Sequence, residues 1–193
     1  DRYAIAKIAG IKLCAALKNQ YNFEAVSLMP TNLFGPGDNY HPLNSHVLPS
    51  FIRKFYLAKL QKEKKVICWG SGSPRREFLF VDDLADALIF VLENVSSNNR
   101  LLYNQKGLYH GIINIGTGED ITIKELANLI SNEIDFNGEI HWDKGKPDGT
   151  PRKLLDVSKI NELGWFASTE IKNGIKKTIS SFDQDFINKK IRE

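Results

Sequence analysis

EAVSLMPTNLFGPG, residues 24–37, is the stretch that decides the fold. Its first half is a short apolar run closed by Pro30, the pattern of a strand buried in a parallel sheet. From residue 32 to 44 the chain carries Gly35, Pro36, Gly37, Asp38, Asn39 and Pro42 and reads as a loop. Upstream, Ile5, Ile8, Ala9, Leu13, Ala16 and Leu17 recur at three- and four-residue spacing over residues 3–20. That spacing predicts a helix with one buried face.

Downstream, Ser45 is placed to cap a helix running to about residue 62, with Lys59, Lys62, Lys64 and Lys65 at the end the helix dipole favours for cations. Residues 66–69 predict a strand, 70–74 a turn and 76–80 extended structure, before Asp82 or Asp83 caps a helix through Val91 and Leu92. Residues 96–110 read as a polar surface loop. Residues 112–115 predict a strand entering Gly116-Thr117-Gly118, and Thr122 with Glu125 forms a capping box opening a helix to about residue 133. An irregular loop over 143–153, a short strand near 154–157, a short helix from Ser158 and a last helix near 169–188 follow. Strands alternating with helices predict an α/β protein with a parallel sheet. Ligands of such sheets bind in loops at the strand C-terminal ends, here those after Met29 and Ile115.

The composition excludes several classes. With 193 residues, 42% hydrophobic and 25% charged, the chain suits a soluble globular protein with one sizeable core or two small ones. A net charge of +3 is too small to argue for nucleic acid and leaves an anionic small ligand open. Cys14 and Cys68 have neither metal-ligand spacing nor a disulfide framework, so packing roles and a reducing cytoplasm are expected, with no metal. No membrane-length apolar run and no signal peptide are visible. The chain opens directly in a helical pattern, and the expectation is that a longer protein precedes Asp1.

Four constellations could carry chemistry. Tyr3 and Lys7 stand four apart on one helix face; a nearby cation favours the phenolate, which makes a phenol a usable acid when a ketone is reduced. The same spacing also arises by chance among frequent lysines. The turn Pro30-Thr31-Asn32-Leu33 after a buried strand offers backbone N–H groups to an amide or a sugar hydroxyl, or is a plain strand-to-loop turn. His46 stands at a helix start, and an imidazole there could move protons at carbon beside a ketone; His41 is similar, and both could simply be solvated. Trp69 with Arg75 and Arg76 pairs a stacking face with guanidinium groups suited to a diphosphate, and residues 146–153 form a comparable loop. Gly35-x-Gly37, Gly70-x-Gly72 and Gly116-x-Gly118 each lack the third glycine of a dinucleotide fingerprint.

YAIAKIAGIKLC, MPTNLFGPGDNYHPLNSHVLP, WGSGSPRREFLFVDDLADA, NIGTGEDITIKELA and KPDGTPRKLLDVSKINELGW together, in this order, resemble the GDP-L-fucose synthases, a branch of the extended short-chain dehydrogenases/reductases. The resemblance implies an NADP-dependent oxidoreductase/epimerase that epimerises C3 and C5 of GDP-4-keto-6-deoxy-D-mannose and reduces C4. It implies the C-terminal part of a Rossmann-type doubly wound parallel sheet plus a smaller α/β substrate-binding domain. Residues 1–40 and 82–117 would belong to the NADP-binding fold, and 41–81 and 118–193 to the substrate domain. Tyr3 would be the proton donor, Lys7 would bind the nicotinamide ribose, and Pro30, Thr31, Asn32 and Leu33 would face the nicotinamide. His46 would be the epimerisation acid, also bordering the cofactor. Asn32, Val47, Lys54, Trp69, Arg76, Asp148 and Lys153 would surround the GDP-sugar, Lys54 standing where bacterial members tend to carry Arg. The remaining catalytic Ser and Cys would lie outside these residues, so that 193 residues alone would be inactive. A homodimer built on the Tyr3–Lys7 helix is implied, with no nucleic acid or membrane partner. The alternatives are another sugar-nucleotide epimerase or dehydratase of this fold and a non-catalytic nucleotide- or RNA-binding relative.

Overall fold

The computed structural model describes residues 2–191. The apolar run forms β1 (Ser27–Pro30), parallel to β6 (Ile112–Ile115) in the register Ser27↔Ile112. The loop predicted from residue 32 starts later, at Gly35. Asn32–Phe34 is itself a strand, β2, parallel to β5 (Phe78–Phe80). The cause is Phe34, buried with its ring edge-on to Phe78 at 6.4 Å and Phe80 at 5.7 Å, a pairing that draws the chain into the sheet.

α1 (Arg2–Tyr21) is the expected helix, but its predicted buried face is open: Ile5, Ile8 and Leu13 are 66%, 58% and 59% exposed. Cys14, Ala15 and Leu17 are half-buried instead, and Lys18 is covered. Periodicity locates an apolar stripe without saying what covers it. The Lys18 ammonium donates to Asn22 Oδ1 at 2.7 Å, Asn98 Oδ1 at 2.9 Å and Glu24 Oε1 at 3.3 Å, as a buried charge requires. This pin, and the Tyr109 hydroxyl on the Ala25 carbonyl, hold residues 96–110 to the body. That segment is therefore not the solvated loop expected: a 3-10 turn at Arg100–Leu102 carries Leu102 to full burial.

α2 (Val47–Leu60) begins after His46, which takes the N-cap position expected of Ser45. α3 (Val81–Asn94) follows β5 without a loop and has Phe80 at its N-cap, so neither Asp82 nor Asp83 caps it. Asp83 is buried and accepts from Ser168 Oγ (3.1 Å), Thr169 N (3.0 Å) and Thr169 Oγ1 (2.9 Å), fixing the approach to the last helix. α4 (Ile123–Ile134) opens with the expected capping box: Thr122 Oγ1 accepts from Glu125 N at 3.0 Å, and Glu125 Oε2 from Thr122 N at 2.7 Å.

Residues 76–80 are not one extended piece. β4 (Arg75–Arg76) lies between β7 (Ile121–Thr122), antiparallel, and β9 (Arg152–Lys153), parallel, while β5 joins β2. β9 takes the place of the strand expected near 154–157. β8 (Glu139–Asp143), unanticipated, pairs in parallel with β3 (Lys65–Trp69). α5 (Ser158–Glu162) and α6 (Ile171–Ile187) complete the chain. One core packs α2, α4 and α6 on β3 and β8 with Phe34, Phe78 and Phe80; the other packs α3, β6 and α5 around Leu79, Leu102, Ile113, Ile115 and Trp165. Among the described residues no helix is long and apolar enough to cross a membrane.

Candidate active site

β4 and β5 part at Glu77, whose side chain is fully buried. A carboxylate withdrawn from water needs donors on both oxygens. Oε1 accepts from Thr117 N (2.7 Å) and Gly118 N (2.8 Å), and Oε2 from Leu155 N (3.0 Å). The Glu77 carbonyl accepts Asn32 Nδ2 at 2.7 Å and Thr31 Oγ1 at 3.4 Å. One residue thus ties together the loops at 30–33, 116–118 and 154–155. The fit leaves no spare volume, because a Cβ on Gly116 would lie 2.2 Å from Glu77 Oε1. Gly116→Ala is expected to displace the carboxylate and destabilise by about 1–3 kcal/mol, the range for overpacking. Urea unfolding should show a lower midpoint at unchanged slope; an unchanged midpoint would contradict the role given to Glu77.

The turn Pro30-Thr31-Asn32-Leu33 sits at the carboxyl end of β1. Pro30 pairs with Ile115, Thr31 N donates to Ile115 O at 3.0 Å, and Asn32 and Leu33 pair with Phe78 and Leu79. Strands on both sides therefore fix its backbone. Tyr3 and Lys7 stand one turn apart on the outer side of α1, with Lys7 Nζ 5.5 Å from the Tyr3 ring centroid and Tyr3 70% exposed.

The two histidines separate. His41 Nδ1 accepts the backbone N–H groups of Leu43 (3.1 Å) and Asn44 (3.2 Å), so it organises the turn and holds no proton on that nitrogen. Asn39 Nδ2 donates to Asn44 O at 3.1 Å, tightening the same loop. The loop delivers His46 to the head of α2, exposed and without a capping bond from its ring to the helix. Burial pushes the nearby Asp38 carboxyl above the usual aspartate value, against a hydrogen bond from Asn39 N–H and the charge of His46. Val47 opens the helix, and Lys54, two turns on, lies on the same side.

β3 ends at Trp69, whose ring is 65% exposed with Lys54 Nζ 5.5 Å from its centroid. Asp148 Oδ1 accepts Ser71 N at 2.9 Å and Oδ2 accepts Ser71 Oγ at 2.6 Å, which holds its carboxyl below the usual aspartate value. Gly70, at φ +80°, passes so close that a Cβ would stand 2.4 Å from Asp148 Oδ1. Arg76 lies against Gly149 and is the register neighbour of Lys153 across β4 and β9. Beneath them Asp120 receives Arg75 Nε (2.6 Å) and Arg152 Nε (2.5 Å), and these bonds, Arg152 first, hold its carboxyl low. Successive strand residues face opposite ways, so with Arg75 and Arg152 spent on Asp120, Arg76 and Lys153 are left to the other face.

Lys54 and Asp148 thus stand by Trp69 and the turn that follows it, Arg76 and Lys153 are neighbours across β4 and β9, Tyr3 and Lys7 are a pair on α1, and His46 and Val47 head α2. Sequence reasoning missed Glu77, Asp120 and Ser71, whose partners lie 32 to 78 residues away. Neither cysteine enters the site: both are free thiols, and burial pushes Cys68 up to about 11 against the pull of Lys54.

The family model described as NAD dependent epimerase/dehydratase family matches residues 1–116. The chain belongs to that family. Another chain similar to this epimerase/dehydratase member is a probable GDP-L-fucose synthase 1 of Oryza sativa subsp. japonica, 50% identical over 97% of this chain and 54% of the relative. Among solved structures, a GDP-6-OMe-4-keto-L-xylo-heptose reductase from C. jejuni superposes with TM-score 0.85 at 35% identity, covering 94% of this chain and 60% of that one. A GDP-L-fucose synthetase from Naegleria fowleri bound to NADP gives 0.73 at 29% identity, covering 87% and 49%. The chain spans about half the length of the curated relatives it matches. Its parallel pairs β1–β6 and β2–β5 with flanking helices are the Rossmann-like α/β fold of the epimerase/dehydratases.

Proposed function

We propose that the full-length protein converts GDP-4-keto-6-deoxy-D-mannose to GDP-L-fucose, epimerising C3 and C5 and reducing the C4 ketone with NADP(H) as cofactor. The observation that carries this reading is identity at half of the residues, along nearly the whole chain, to a relative named a probable GDP-L-fucose synthase. The residues fit the cofactor: the 30–33 turn stands where parallel sheets take nucleotides, its Thr31 N–H held by Ile115 O and its Thr31 and Asn32 side chains by Glu77 O. Pro30, Thr31, Asn32 and Leu33 would face the nicotinamide, Lys7 its ribose, with His46 alongside, and NADPH supplies the hydride for C4.

Tyr3 gives its phenolic proton to the C4 oxygen as the ketone becomes an alcohol. His46 returns a proton to carbon beside the ketone on the face opposite to its removal. Trp69 stacks the base, Arg76 and Lys153 take the diphosphate, and Asn32, Val47, Lys54 and Asp148 complete the GDP-sugar contacts. The two cores support a division into residues 1–40 and 82–117 for NADP and 41–81 and 118–193 for the sugar nucleotide, with Leu79, Val157, Ile160 and Trp165 packing onto the former and Phe34 and Tyr40 onto the latter. The open row Ile5, Ile8 and Leu13 supports a homodimer through α1, and the free thiols suit a cytoplasmic setting.

Thermal unfolding of the full-length protein with GDP, UDP and dTDP tests the nucleotide. At a hundredfold excess over Kd a ligand stabilises by about 2.7 kcal/mol, a rise of several degrees. GDP should give the largest rise; a larger one with UDP or dTDP would overturn the assignment.

A further inference from the structure

Lys146 has no part in the site so far, yet the fold delivers it to the Trp69 ring. β3 and β8 end side by side, with Trp69 paired to Asp143. Asp143 O then accepts the N–H groups of Gly70 (3.0 Å) and Lys146 (3.1 Å), and Asp143 Oδ1 that of Gly145 (3.0 Å). A few residues on, Asp148 is fastened to Ser71 through both carboxylate oxygens. A loop tied at both ends holds Lys146 Nζ 5.5 Å from the Trp69 centroid, the same distance as Lys54 Nζ from α2.

The diphosphate already has Arg76 and Lys153, so this ammonium is left for the base. A purine stacked on Trp69 takes the ring face over which Lys146 Nζ lies and brings its own edge against that ammonium. An ammonium only donates, and it suits an edge made of acceptors. Guanine offers O6 and N7 together, whereas adenine places an amino donor beside N7. We infer that Lys146 reads the base, donating to the O6/N7 edge of a guanine stacked on Trp69 and setting guanine over adenine. The inference rests on the GDP-sugar reading above.

Calorimetric titration of the full-length protein with GDP, IDP and ADP tests it, using wild type, Lys146→Met and Lys54→Met. IDP keeps O6 and N7 but lacks the 2-amino group, so it isolates the edge in question. Wild type should bind GDP and IDP more tightly than ADP. Lys146→Met should weaken GDP and IDP by about ten- to a hundredfold, with ADP little changed, and Lys54→Met should weaken all three alike. A wild type without preference for GDP over ADP would sink the nucleotide reading itself. A wild type that prefers GDP, with the preference intact in Lys146→Met or erased instead in Lys54→Met, would overturn the role of Lys146 alone.

Discussion

Tyr3→Phe in the full-length protein is expected to lower kcat for reduction by about 10²–10⁴-fold, the range for loss of a general acid, with KM nearly unchanged. Phenylalanine keeps the ring on the outer side of α1, beside Lys7 at 5.5 Å from the centroid, and removes only the hydroxyl. Phenylalanine differs from tyrosine only by that hydroxyl, so the variant should fold as the wild type does. Steady-state NADPH oxidation with the 4-keto sugar nucleotide is the measurement. An unchanged kcat would show that another group delivers the proton to the C4 oxygen.

His46→Gln is the second large effect. Inverting a carbon beside a ketone takes a proton from one face and returns one to the other, which requires two groups on opposite sides of the sugar. In the proposed mechanism Tyr3 is committed to the ketone oxygen. Glutamine has a similar reach and cannot supply an imidazolium proton, and His46 makes no capping bond whose loss would unravel α2. The variant should bind substrate yet lose about 10²–10⁴-fold in epimerisation, releasing reduced sugar that is incompletely epimerised. Sugar-configuration analysis of the product reads this directly. An undiminished yield of GDP-L-fucose would remove His46 from the mechanism. His41 would then be the histidine left from the sequence reading, although its Nδ1 is occupied by Leu43 and Asn44 N–H.

Local signals explain what was legible in the sequence. The Thr122–Glu125 capping box declares itself within four residues, and α4 starts where it says. The strand before Pro30 and the one before Gly116 carry enough β-branched and apolar residues to be read alone. α1 shows the limit of periodicity: its apolar row was visible, but Ile5, Ile8 and Leu13 face outward, because what covers a stripe is not written in the stripe. β8 escaped notice because Glu139, His141 and Asp143 alternate with Ile140 and Trp142, so a half-buried strand resembled a polar connector. Asp83 was read as a helix cap, and only the fold brings Ser168 and Thr169 to it.

The site divides along the same line. Trp69 and Arg76 stand out as residue types suited to a nucleotide diphosphate, Asp148 and Lys153 only through the family resemblance, and β4 and β9 set Arg76 beside Lys153. Glu77 was not legible, since it follows two arginines and nothing local marks it for burial. Its actual partners are backbone N–H groups of Thr117, Gly118 and Leu155, which sequence alone cannot bring near. His41 and His46 are alike in sequence, and the fold distinguishes them only in that His41 Nδ1 accepts the N–H groups of Leu43 and Asn44.

The most direct measurement of the central claim is turnover of GDP-4-keto-6-deoxy-D-mannose by the full-length wild-type protein with NADPH in D₂O, followed by mass and configuration analysis of the sugar. The expected product is GDP-L-fucose carrying solvent deuterium at both C3 and C5. A C4-reduced product that keeps the substrate's configuration, with no solvent deuterium at either carbon, would contradict it.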